Sequence, residues 1–211
     1  MNQLLRPHTP RRLAAACLAL LCGAHMAAAH AWSLTLAAAS RRVFLHVGNG
    51  TYDNTNGTIN LVQVTVPTAQ LGNGTALAMT SNSTQATSLY GDNYATCPTP
   101  ASQVMVGASY RRSNPGNGPA SATLSVASPA SLTTTGGDTI PISQVSWTVS
   151  APGSGVPNVI PAGTFNGGTQ TLATVPANRY IENCHTFSYA NSAVRAAGTY
   201  NGRVTYTLSS P

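Results

Sequence analysis

Beyond residue 40 the chain has four carboxylates, two histidines and two cysteines with which to do acid–base, nucleophilic or metal chemistry. The carboxylates are Asp53, Asp92, Asp138 and Glu182, each in a different predicted element. Glycoside hydrolysis needs two of them about 5 to 9 Å apart across one bond, and their spacing brings no pair together. Asp53, ahead of Asn54-Thr55-Asn56-Gly57, and Asp138, behind Gly136-Gly137, stand where Asp commonly closes a turn. The stretch from Asp53 to Gly57 has the look of a calcium loop, but Tyr52 falls where its first carboxylate belongs. Cys184-His185 offers a nucleophile beside a base, yet strand neighbours point to opposite faces, so thiol and imidazole do not meet. His185 instead shares a face with Ile181, Phe187 and Tyr189, which marks it as a buried histidine between sheets. No nucleophile elbow, zinc-protease helix or phosphate-cradling loop occurs. The expectation is a protein that is not an enzyme and carries neither cofactor nor metal.

The cysteines speak for export instead. Residues 1–39 read as a secretory signal, with Arg6, Arg11 and Arg12 as its basic start, Leu13 to Leu21 as its apolar stretch, and small residues after it. Cleavage after Ala29, Ala31 or Ala39 fits the small-residue rule equally. The apolar run, broken by His25 and His30, is shorter than the ~20 residues a bilayer span needs, so no membrane span is expected in the mature chain. Signal removal leaves Cys97 and Cys184, and an even pair in an oxidising compartment is most simply a disulfide. Closing so long a loop contributes about 4 kcal/mol in the chain-entropy model. Two free thiols acting as metal ligands are the alternative, with only His46 and His185 to assist.

Charged residues make up 7% of the 211-residue chain, far under the roughly 25% of an ordinary soluble domain. There is no lysine. Seven of the ten arginines lie beyond residue 40, as the pairs Arg41-Arg42 and Arg111-Arg112 and the singles Arg179, Arg195 and Arg203. They form no aromatic-interleaved basic stripe, so nucleic acid is not an expected partner.

The elements that must position these groups are strands. Tyr200, Gly202, Val204, Tyr206 and Leu208 alternate with polar residues up to Ser209, as a half-buried strand requires. Val145, Trp147, Val149 and Ala151 alternate likewise, as do Val104, Val106, Ala108 and Tyr110. Further strands are expected from Val43 to Val47, Ile59 to Val66, Ala76 to Thr80, Ala122 to Ser128, Thr169 to Val175 and Tyr180 to Tyr189. Asn-Gly and Gly-Gly turn formers separate them. Residues 40–211 are thus expected to form one all-β domain, a single antiparallel immunoglobulin-like β-sandwich of about nine short strands. A closed barrel is the alternative. The stretch from Ser81 to Pro100 has the weakest period and is the longest predicted loop. Cys184 faces away from Ile181 and His185, so its bond to Cys97 would tether that loop across the outside of the sandwich.

The ending from Ala197 to Leu208 resembles the last strand of secreted bacterial fimbrial subunits, both the chaperone-usher pilins and the spore-coat-U-like secreted pilins. In those families a Gly stands fourteenth from the C-terminus with alternating apolar residues behind it; here Gly198 holds that place, followed by Tyr200, Val204, Tyr206 and Leu208. Ser210 stands where pilins usually have Tyr. The resemblance implies an incomplete sandwich completed by a donor strand from the next subunit, after transit through the periplasm with a chaperone and passage through an outer-membrane usher. It implies a secreted protein at the cell surface or outside the cell, assembling with other copies or related subunits in adhesion structures. Donation requires an extended segment with alternate apolar residues. Val43, Leu45 and Val47 qualify, as do Trp32, Leu34 and Leu36 if cleavage follows Ala31; the other reading makes Val43 to Val47 the first strand of a complete sandwich. The alternative function is a self-contained binding module for carbohydrate or a surface partner, with Tyr90, Asp92, Asn93 and Tyr94 as the ligand loop.

Overall fold

The computed structural model describes residues 41–48, 60–88, 95–112, 118–150 and 159–210. Chain contacts divide the protein into Met1–Ala37 and Ala38–Pro211, and every described residue belongs to the second unit. The expected signal segment and the loop residues Tyr90, Asp92, Asn93 and Tyr94 lie outside the described residues. Among those residues no helix is long and apolar enough to cross a membrane.

The described chain is all-β. Its strands are β1 (Arg41–Val47), β2 (Val62–Gln63), β3 (Leu77–Ala78), β4 (Thr80–Ser81), β5 (Val104–Arg112), β6 (Ser121–Ala127) and β7 (Ser131–Thr133). They continue with β8 (Thr139–Pro141), β9 (Val145–Ser150), β10 (Gly163–Thr164), β11 (Thr169–Pro176), β12 (Arg179–Tyr189) and β13 (Thr205–Ser209). The main sheet runs β1-β5-β12-β9-β10, with β3 also paired to β12, and a second sheet runs β11-β6-β13. Two short pairs, β2–β4 and β7–β8, stand apart from them. Every ladder between these strands is antiparallel.

Period two explains the strands that carry the core. On β6, Ala122, Leu124 and Val126 are buried while the residues between them are half-exposed. They meet Leu172 and Val175 of β11 and, from the main sheet, Val106 and Tyr110 of β5, Trp147 of β9 and Phe187 of β12 in one apolar core. Each buried Val, Leu or Phe among them contributes about 1.5–3 kcal/mol by leaving water. The core therefore lies between the two sheets. Gly163 on β10 lets the Trp147 indole lie flat against the neighbouring strand: a Cβ there would sit 2.7 Å from Trp147 Cζ2. β5 is buried on both faces from Val104 to Ala108, because residues beyond the core cover its other side.

The expected strand beginning at Tyr200 is shorter in the fold. Only Thr205–Ser209 pairs with β6, in the register Thr205 opposite Ala127, and continuing that ladder backward would set Arg203 opposite Pro129. Proline has no N–H to give a ladder. The chain turns aside before it, and Asn201 bridges Thr133 of β7 while Tyr200 donates its hydroxyl to the Ala196 carbonyl. The expected strand from Ala76 to Thr80 is split: β3 pairs with β12 and β4 with β2, the change of partner falling at Met79. β7, β8 and β10, two or three residues each, were below what alternation can reveal.

Candidate functional site

The polar side chains that converge do so on the outer face of the main sheet. Register places His46 of β1, Gly107 of β5 and Glu182 of β12 side by side. Tyr180 and Glu182 share this face two residues apart, and Gly107 makes their approach possible, since a Cβ at that position would collide with the Tyr180 hydroxyl. Tyr180 donates that hydroxyl to Glu182 Oε2, and Thr96 donates to Oε1. Ser88 donates to Oε2 at 3.2 Å. Glu182 is only 4% exposed, so these hydroxyls replace water around a carboxyl group that burial would otherwise penalise by several kcal/mol.

Cys184 follows on the same face and is bonded to Cys97, with Cα atoms 5.4 Å apart. Together with Met105, its cross-strand partner on β5, the bond forms a small apolar cluster separate from the main core. The sequence-derived placement of the bond away from the core is therefore correct, though all three residues are fully buried. The cover is the loop after β4: Ser83, Ser88, Thr96 and Cys97 are all buried, and Cys97 N–H donates to the Ala86 carbonyl. Described residues between Ser81 and Pro100 form no strand, as their weak period predicted.

The inner face of β12 is built differently. His185 lies in the core, parallel to Trp147 with centroids 6.2 Å apart, tilted on Phe187 and edge-on to Tyr206 of the opposite sheet. Among the described residues neither ring nitrogen makes a hydrogen bond. Burial holds its pKa down to about 3, so the imidazole is neutral at physiological pH, and burial also pushes the Tyr206 phenol above its ordinary range. Asn183, beside it, receives the N–H groups of Val159 and Ile160 on Oδ1 and donates to the Ser150 carbonyl, pinning the approach to β10.

No described group of three or more His, Cys, Asp or Glu side chains gathers as metal ligands would. Val43, Leu45 and Val47 lie on β1, an outer strand of the main sheet, opposite Tyr110, Ala108 and Val106 of the same chain. β13 is an outer strand of the second sheet and approaches β1. Val204, Tyr206 and Leu208 are half-buried against the core, whereas Gly198 and Tyr200 precede the strand.

Sequence reasoning missed the hydroxyl cluster around Glu182. The spacing of Tyr180 and Glu182 was a legible hint, since i and i+2 share a strand face. Ser88 and Thr96 left no trace, because their segment has no period. The chain matches no family model, no curated protein and no solved structure.

Proposed function

We propose that the protein is an exported, non-enzymatic structural subunit that assembles with other copies or related subunits by β-strand complementation. The observation that carries this reading is the state of β13. Among the described residues it pairs with β6 alone, while its alternate residues Tyr206 and Leu208 pack on the core. An outer strand with an unpaired backbone edge and alternate apolar side chains packed on the core is a template for one more strand. β1, the donor-type segment with Val43, Leu45 and Val47, likewise pairs among the described residues with β5 alone. In this reading the domain is an immunoglobulin-like sandwich that another subunit completes. A chaperone in the periplasm keeps the edge covered before an outer-membrane usher places the subunit at the cell surface.

The test is the association state of the purified protein by light scattering, with and without a peptide copying residues 41–50. Slowly dissociating oligomers that the peptide breaks into peptide-bound single chains are expected. A monomer that unfolds cooperatively and reversibly, and gains no stability from the peptide, overturns the reading.

A further inference from the structure

Two fastenings of different chemistry hold Thr96 and Cys97 to the outer face of β12, and they are neighbours at both ends. Cys97 is bonded to Cys184. Thr96, the residue before it, donates its hydroxyl to Oε1 of Glu182, two positions from Cys184 on the same strand face. Ser88 reaches Glu182 Oε2 from earlier in the cover, and Tyr180 donates to the same oxygen from β12 itself. The Cys97 N–H donates to the Ala86 carbonyl at 2.9 Å, which ties the described part of the cover to itself. Cys97, Cys184 and Met105 are fully buried and form an apolar cluster. Exchange of a disulfide starts when a thiolate attacks one of its sulfurs. That attacker is charged, and an apolar cluster without room for water disfavours its entry. Attack therefore has to wait until Thr96 and Cys97 lift away from β12, and the bond to Glu182 is what resists that movement.

We propose that the hydroxyl–carboxyl clasp of Thr96 and Glu182 controls the redox reactivity of the disulfide: a dithiol reduces Cys97–Cys184 only while Thr96 is detached from Glu182. In the detached form one thiolate of the dithiol attacks a sulfur, a mixed disulfide forms, and the other cysteine leaves as a thiolate that takes up a proton. The second thiol of the reductant, as its thiolate, then attacks the mixed disulfide and closes a cyclic disulfide, and the second cysteine is released. The protein gains two electrons and two protons, and the dithiol is oxidised by the same amount. The opening is local: the aromatic and aliphatic core between the sheets lies on the other face of β12 and stays packed. The buried carboxyl group thus serves the covalent bond beside it, which explains why its donors come from the cover and not from β12 alone. This inference does not depend on assembly by strand complementation.

The experiment follows reduction of the native protein by dithiothreitol without denaturant, with alkylation of Cys97 and Cys184 read by peptide mass spectrometry. Thr96→Val keeps the shape of the side chain and removes its hydroxyl, so it should speed reduction about tenfold, the usual consequence of losing one hydrogen bond to a buried group. Leu124→Ala weakens the core between the sheets and leaves the clasp in place, so it should leave the rate unchanged. The unsubstituted protein supplies a second measurement. Hydrogen exchange of the Cys97 N–H reports the same opening, and it should be at least tenfold faster than exchange of the β5 amides that pair with β12. An unchanged rate in Thr96→Val overturns the proposal. Equal acceleration by Leu124→Ala also overturns it, because reduction would then pass through unfolding of the whole domain. Should Thr96→Val fail to fold, the exchange measurement decides: a Cys97 N–H no faster than the β5 amides overturns the proposal as well.

Discussion

Glu182, on the outer face of β12, is 4% exposed, and its carboxyl group receives the hydroxyls of Tyr180, Ser88 and Thr96. His185, three residues on and on the inner face, is fully buried, and neither ring nitrogen makes a hydrogen bond among the described residues. The same strand thus buries two ionisable groups by opposite means. The carboxyl group is matched by donors brought from distant chain, and the imidazole is kept neutral among aromatic rings. The contrast follows from what each group can shed. A histidine loses its charge at neutral pH once burial lowers its pKa, and what remains is a flat ring that stacks on Trp147 at an interplanar angle of 1°. A carboxyl group keeps its need for donors in either protonation state. The outer face must therefore be a polar network with a cover held over it, and the imidazole needs only close packing.

The largest test of this contrast is the disulfide. Replacing Cys97 and Cys184 together by Ser removes the latch on the cover and should lower stability by up to about 4 kcal/mol. The loss should be confined to the outer face. The near-ultraviolet circular dichroism of Trp147 and the cooperative transition should persist, with hydrogen exchange accelerating in the segment around Ser83 to Cys97. Collapse of the Trp147 signal would mean that the two faces are one cooperative unit.

Acidification probes the inner face. The folded pKa of His185, about 3, lies below its unfolded value of 6.5, so between them the unfolded chain binds more protons. The stability contributed by the neutral, buried imidazole is fully present above pH 6.5 and is lost as pH falls toward 3. At about 1.4 kcal/mol per pH unit the loss reaches about 3 kcal/mol by pH 4. Denaturant titrations across that range should show the slope in the wild type, and His185→Leu should remove this contribution. An unchanged slope in His185→Leu would assign it to other groups.

Smaller effects separate the faces by sign. Tyr180→Phe deletes one hydroxyl donor to a buried carboxyl group and should destabilise by about 1.5–2 kcal/mol. At pH 7 His185→Leu should be neutral or stabilising by about 1 kcal/mol, because it removes two polar atoms that gain nothing from burial. Chemical denaturation of the two variants checks both; loss of stability in each would mean that His185 too relies on a polar contact.

How far each face was legible follows from these requirements. Inner-face packing was written into the chain as alternation: Val104 to Tyr110, Val145 to Val149 and Ile181 to Tyr189 declare their buried side because a strand has only two. That His185 belongs inside followed from the same count. The disulfide followed from cysteine arithmetic, and its side of the sheet from parity. The outer-face network could not be read that way, since Ser88 and Thr96 reach Glu182 across 94 and 86 residues from an aperiodic segment. Arg41-Arg42 and Arg111-Arg112 read as separate dipeptides until the antiparallel register aligned them.

Composition and period two by themselves determined the all-β class, the principal strands, the core-facing residues and the pairing of Cys97 with Cys184. These are properties of local geometry and of counting, which every strand carries along its own length. Tertiary structure alone decided which strands become neighbours, where Pro129 stops the final ladder, and which hydroxyls surround Glu182. Those outcomes depend on register between segments far apart in the chain, and a one-residue shift in register would move every side chain of a strand to its other face.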